Sequence, residues 1–191
     1  MSRTRPVRRL MLGAVLGLGL VALAAGPAAA HVTIDPESAP KGSVSKLSFQ
    51  VPNEKDNAST VGLEVTFPTD HPIASVSVQQ KAGWSFAIEK QPLPKPIKGP
   101  FGGEVTEAVS KITWTGGEIQ PGAFDLFTVR AGALPKNVNQ LEFQAAQTYS
   151  DGEVVNWNEP TVKGGDEPEH PAPVLKLRSA KSKSSGNGHG G

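Results

Sequence analysis

The sequence of 191 residues contains no cysteine. That absence excludes a disulfide scaffold, thiolate zinc and iron–sulfur centres, and thiol catalysis. Methionine is almost missing as well, with Met1 and Met11 the two examples. Aromatic residues make up only 6% of the chain and charged residues 19%. Nor is there an excess of one charge: 19 basic residues face 18 acidic ones. Arg3, Arg5, Arg8 and Arg9 all fall in the first thirty residues, so the remainder of the chain is mildly acidic. A nucleic-acid or anionic-membrane surface is therefore disfavoured. No G-x-S-x-G, H-E-x-x-H or phosphate loop appears, so the common hydrolytic constellations have no basis.

Glycine (21) and proline (17) are plentiful, and they punctuate the chain throughout. Residues 2–9 carry the arginines, Leu10 to Ala25 is apolar, and Gly26-Pro27 leads to Ala28-Ala29-Ala30. A basic segment, an apolar segment and small residues at a cut site predict a signal peptide over residues 1–30, cleaved after Ala30. The apolar run is shorter than the ~20 residues of a membrane span. No second such run comes after it, so the mature chain is expected to have no span and to lie outside the cytoplasm, secreted or in the cell envelope. Arg8-Arg9 leaves general and twin-arginine export both open.

Cleavage there exposes His31 as the first residue. An N-terminal histidine carries an α-amine and an imidazole on one residue, and its amine and Nδ1 can close a chelate ring on one ion. Both give up protons near neutrality, with pKa values of ~7.7–8.0 and ~6.5. Two nitrogens with oxygen donors in a plane suit divalent copper. The plain alternative is a histidine left by the cut without a ligand role.

From His31 onward, short alternating runs end at turn residues. Val44–Val51, Val61–Phe67, Ile73–Gln80, Trp84–Ile88, Val105–Trp114, Phe124–Val129, Leu141–Tyr149 and Val154–Trp157 read as strands. Asp151-Gly152 marks a hairpin between the last two. Val174–Leu177 reads as a final edge strand. No helical stripe appears. The expectation is an all-β fold, an antiparallel two-sheet sandwich of immunoglobulin or fibronectin type, over residues 31–178. Gln91–Gly103, with its prolines and glycines, reads as a long loop. Residues 179–191 read as a disordered polar tail containing His189.

The start His31-Val32-Thr33-Ile34, the segment Pro121-Gly122-Ala123-Phe124 and the hairpin Tyr149-Ser150-Asp151-Gly152-Glu153-Val154-Val155-Asn156-Trp157 together resemble the YcnI-like family of exported bacterial copper-binding proteins. The resemblance covers nearly the whole mature domain. It implies a β-sandwich that binds Cu2+ through the N-terminal histidine, with a carboxylate ligand and a tryptophan over the site. It also implies a copper chaperone or carrier, working beside a membrane copper transporter and without turnover. The histidine maps to His31 and the tryptophan to Trp157, while Trp84 and Trp114 read as core. Family members often have glutamate where this chain has Ala123. Asp125, two residues on and on the same strand face, is a substitute. Glu118 and Glu142 are further candidates.

His71 and His170 read as surface-loop histidines. The acidic run Asp166-Glu167-Pro168-Glu169-His170 could hold a metal, though its prolines oppose a compact cage. Two other classes stand beside the copper carrier. A copper monooxygenase would need His71 or His170 to meet His31. A metal-free envelope or adhesion module would retain no copper. A carrier of the CopC type would need later histidine and aspartate ligands that find no match.

Overall fold

The computed structural model describes residues 31–162 and 164–179. The expected leader over residues 1–30 and the tail from residue 180, with His189, lie outside the described residues. Twelve strands and no helix occur among those described. In chain order they are β1 (Thr33–Asp35), β2 (Ser38–Pro40), β3 (Ser45–Pro52), β4 (Thr60–Thr66), β5 (Ser75–Val78) and β6 (Ser85–Lys98). The rest are β7 (Glu104–Ile119), β8 (Phe124–Gly132), β9 (Gln140–Glu142), β10 (Gln144–Tyr149), β11 (Val154–Trp157) and β12 (Val174–Arg178).

Two sheets face each other. One runs β1-β3-β8-β5, the other β11-β10-β4-β7-β6, and a small sheet β2-β12-β9 flanks them. The alternation in sequence explains the layers. Leu47, Phe49 and Val51 of β3 are buried while Lys46 and Gln50 are exposed. Phe127, Val129 and Ala131 of β8 and Ile112 and Trp114 of β7 turn inward in the same way. Phe49, Phe67 and Phe143 meet edge to face between the sheets, with ring centroids 5.3–6.4 Å apart. Trp114 and Phe127 join the sheets 5.4 Å apart. Trp114 is core, as expected. Trp84 is half-buried and packs against the core from the side, over Gly117, where a Cβ would come within 2.2 Å of the indole.

Three segments differ from the sequence reading. Gln91–Gly103 is not a free loop, since β6 continues to Lys98 and resumes pairing at Ile97↔Val105 after an irregularity beyond Pro92↔Glu107. β6 is the edge of its sheet, where a proline facing solvent withholds no ladder donor. Leu141–Tyr149 splits at Phe143 into β9 and β10, which belong to different sheets. β12 is not an edge: it lies between β2, which it meets in parallel, and β9. The three-residue strands β1 and β2 carry too little alternation to be read from sequence.

The β10–β11 hairpin turns at Asp151-Gly152, with Gly152 at φ 90°. Lys55 clamps it, its ammonium 2.6 Å from both Asp151 and Glu153 and over the Tyr149 ring. The hydrogen bond from Lys55 holds the Asp151 carboxyl below its ordinary 3.8. A carboxyl whose pKa falls on folding stabilises the fold above its unfolded value and loses that contribution as pH falls through the folded one. Lys55→Met should therefore be less stable than the parent at neutral pH, by a small surface-pair increment. The gap should close on acidification below the ordinary aspartate pKa, as followed by denaturant midpoints. In the core, Phe143→Ala should cost about 3–5 kcal/mol in chemical denaturation.

Candidate metal centre

The site begins where β1 begins. Val32 and Ile34 are buried, and Thr33 pairs with Gln50 on β3, so the backbone next to His31 is fixed by the core. The His31 side chain is 16% exposed. Its ring lies 5.9 Å from that of Trp157, with the planes inclined by 59°.

Trp157 ends β11 opposite Ala145 and is fully buried. A buried indole N–H needs an acceptor, and Gln147 Oε1 accepts it at 3.0 Å. Gln147, also fully buried, spends its amide donors on Pro52 O at 2.8 Å and Thr60 Oγ1 at 2.6 Å. One side chain thus fixes the indole against β3 and β4. Among the described residues no buried side-chain polar atom is left without a partner.

The chain leaving Trp157 forms a loop that is pinched at its base. Glu159 N donates to His170 O at 3.0 Å, Ala172 N donates to Glu159 O at 2.9 Å, and His170 N donates to Glu159 Oε2 at 3.0 Å. The pinch holds the His170 ring 5.2 Å from Trp157, edge to face. It also carries Glu167 to His31, with Oε1 3.2 Å from Nδ1. A pocket of about 250 Å³ opens here, between His31, Glu37, Glu167, Pro171 and Lys176.

Of Asp125, Glu118 and Glu142, the structure brings none to His31. Asp125 sits on β8 opposite Val51 and is ion-paired with Lys81, and its Oδ1 also accepts from Leu126 N at 2.8 Å. Glu118 is exposed near the end of β7. Glu142 lies on β9 in a separate cleft with Asp70 and His71. His71 pairs with Asp70 at 3.4 Å. Glu167 comes instead from the acidic, proline-bearing run, whose prolines shape a loop and leave its side chains free to reach out. Sequence alone hid this contact because 136 positions separate the partners. The signal that was present is the acidic run itself, which offers carboxylates ahead of β12.

Among the described residues no three side chains of histidine, aspartate, glutamate or cysteine gather as a metal cage. The side chains here supply two donors, Nδ1 of His31 and Oε1 of Glu167. At the ~2.0–2.2 Å bonds of a first-row divalent ion such as zinc, neighbouring donors stand about 3 Å apart, so this pair fits one ion.

Residues 31–177 match the sequence family described as "Domain of unknown function (DUF1775)". The chain belongs to this family. It is 29% identical over 157 residues to the copper-binding protein CutI of Bacillus subtilis (strain 168), a match that covers 81% of this chain and 66% of that protein. The chain thus spans just under two thirds of that relative. A crystal structure of an uncharacterized protein from Nocardia farcinica, reported to reveal an immunoglobulin-like fold, matches with a TM-score of 0.63 and 38% identity. That match covers 78% of this chain and 99% of the other. The fold is thus an all-β sandwich of immunoglobulin type, and the YcnI-like resemblance is borne out.

Gln147→Met keeps the volume of the side chain and strands three buried polar groups, each costing about 1–3 kcal/mol. It should lower the denaturation midpoint far more than Thr148→Val, the half-buried neighbour on β10.

Proposed function

We propose that the chain is an exported protein that carries one divalent copper ion in the cell envelope or outside the cell, and that it catalyses no reaction. The ion is cargo, held by the His31 α-amine and imidazole together with the Glu167 carboxylate, and Trp157 flanks it. The approach of Glu167 Oε1 to His31 Nδ1 carries the reading. Nδ1 is the ring nitrogen that can close a chelate with the amine of its own residue. With two side-chain donors within reach, the amine freed by cleavage after Ala30 is the third. The family match begins at residue 31, the position this cleavage would expose.

Copper as the ion draws on two supports. The CutI relative is a copper-binding protein by name. The donor set of nitrogen and oxygen, with water filling the plane, suits the tetragonal preference of the oxidised ion. Thiolates are absent, and Met1 and Met11 fall within the expected leader, so the soft donors favoured by cuprous copper are missing. The buried indole beside the imidazole limits ligand exchange from that side. Glu167, 72% exposed, leaves the other side open to a membrane transporter that could receive the ion.

The test compares protein recovered from a secreting host with a form bearing one extra residue before His31. Electron paramagnetic resonance should show a nitrogen-rich tetragonal copper signal in the first and lose it in the second. Glu167→Ala should weaken copper retention by about 10–150-fold, the loss of a charged donor worth about 1.5–3 kcal/mol. Asp125→Ala should leave it unchanged. Equal spectra from both N-terminal forms would refute the amine ligand, and a protein that retains no copper in either form would favour the metal-free envelope module.

A further inference from the structure

Six consecutive residues of β6, Ser85 to Lys90, are exposed although they form a strand. β6 is the outermost strand of its sheet and pairs only with β7 among the described residues. Its alternation still follows the core. Phe86 lies opposite Trp114 and Ile88 opposite Ile112, so both side chains point to the inner face. Trp114 and Ile112 are 1% and 0% exposed, whereas Phe86 and Ile88 are 41% and 38% exposed. The five-stranded sheet therefore outruns the four-stranded one on this side. The other sheet ends there at β5, whose Val76 and Val78 are only partly buried. An apolar seam bordered by unpaired backbone N–H and C=O groups is a template for another strand.

The seam is fenced at both ends. Pro92, Pro94 and Pro96 remove ladder donors beyond Gln91. At the other end a turn closes, with Trp84 N donating to Lys81 O.

We propose that β6 pairs antiparallel with β6 of a second copy, joining the two five-stranded sheets across a two-fold axis at Ala87. The strand is its own complement in this register. Directly opposed residues share a face, so with Ala87 on the axis Phe86 meets Ile88 of the second copy, and Ile88 meets Phe86. Two aromatic–β-branched pairs then cover one another, the kind of cross-strand contact that stabilises a sheet. On the outer face Ala87 meets Ala87 and Ser85 meets Glu89, with no like charges opposed. Neighbouring registers are worse. Moving the axis to Ile88 sets Lys90 against Phe86, and moving it to Glu89 sets that carboxylate against itself. Moving it to Phe86 draws Trp84 out of its turn. The charge pattern and the apolar pair thus select a second copy and one alignment. The pairing is independent of the metal reading, since β6 and β11 lie at opposite edges of their sheet.

Analytical ultracentrifugation of the protein recovered from a secreting host should give twice the monomer mass at millimolar concentration. Ala87→Lys, at an exposed position, places like charges across the axis and should return the monomer mass with the circular dichroism of the parent. Ala87→Cys should cross-link to a covalent dimer on oxidation, since opposed residues in a ladder lie within disulfide reach and the chain offers no competing thiol. Ser85→Cys should not, because its counterpart lies four residues along the strand, about 13 Å away. A parent protein that stays monomeric at millimolar concentration overturns the proposal. Cross-linking of Ser85→Cys as readily as Ala87→Cys overturns the register.

Discussion

The indole nitrogen of Trp157 must find an acceptor in a place water does not reach, and much of the molecule is arranged around that requirement. Gln147 meets it from the adjacent strand β10 and ties the same amide to β3 and β4. On β10 the inward positions are Ala145, Gln147 and Tyr149, so a polar side chain occupies a core position by plan of the alternation. A buried amide with every hydrogen bond made is rigid, and it transmits that rigidity to the ring it holds. His31 then packs against a fixed wall. The orientation of the first residues of β1 is thereby coupled to a hydrogen bond between β10 and β11 of the opposite sheet.

Edges explain the outline of the sandwich. β1, β5 and β11 are three or four residues long, a common way of keeping an edge from templating other chains. β6 is the exception at fourteen residues, and its distal half carries the three prolines that blunt it. The remaining half is unprotected and carries Phe86 and Ile88 on the face that ought to be covered. An edge left open over so short a stretch, with apolar residues only at alternate positions, is shaped to receive a strand of matching alternation.

The sandwich was legible in the sequence because most of its strands alternate and end at turn residues. Val61–Phe67 shows this in β4, and Asp151-Gly152 marks the hairpin that the structure contains. What escaped depended on neighbours distant in sequence. Prolines in β6 read as loop because edge position is a property of the sheet. β12 read as an edge because β2 and β9, which flank it, are three residues each and leave almost no pattern. In the candidate site, His31 was legible from its place after the expected cut and Trp157 from the family resemblance, and their rings do meet. Asp125 was a reasonable local choice, but Lys81 already neutralises it. Glu167 was legible only as one of an acidic run able to hold a metal, and its meeting with His31 depends on the tertiary return of the loop.

On the proposed reading, the two side-chain donors at His31 differ in a way that suits an ion both held and surrendered. The imidazole stands on a strand anchored by Val32 and Ile34 and against a fully buried ring. The carboxylate stands on a loop fastened at its base by the three hydrogen bonds around Glu159 and His170, and is itself mostly exposed. Stiffness in one donor fixes where an ion sits, and looseness in the other sets how easily a coordination position opens. Were both donors on core strands, release would require the sandwich to deform, and close-packed interiors resist that. Were both on loops, the entropy of ordering them would weaken capture. A strand end facing a pinched loop lies between these limits. It also places the more exposed of the two groups, Glu167, on the solvent side.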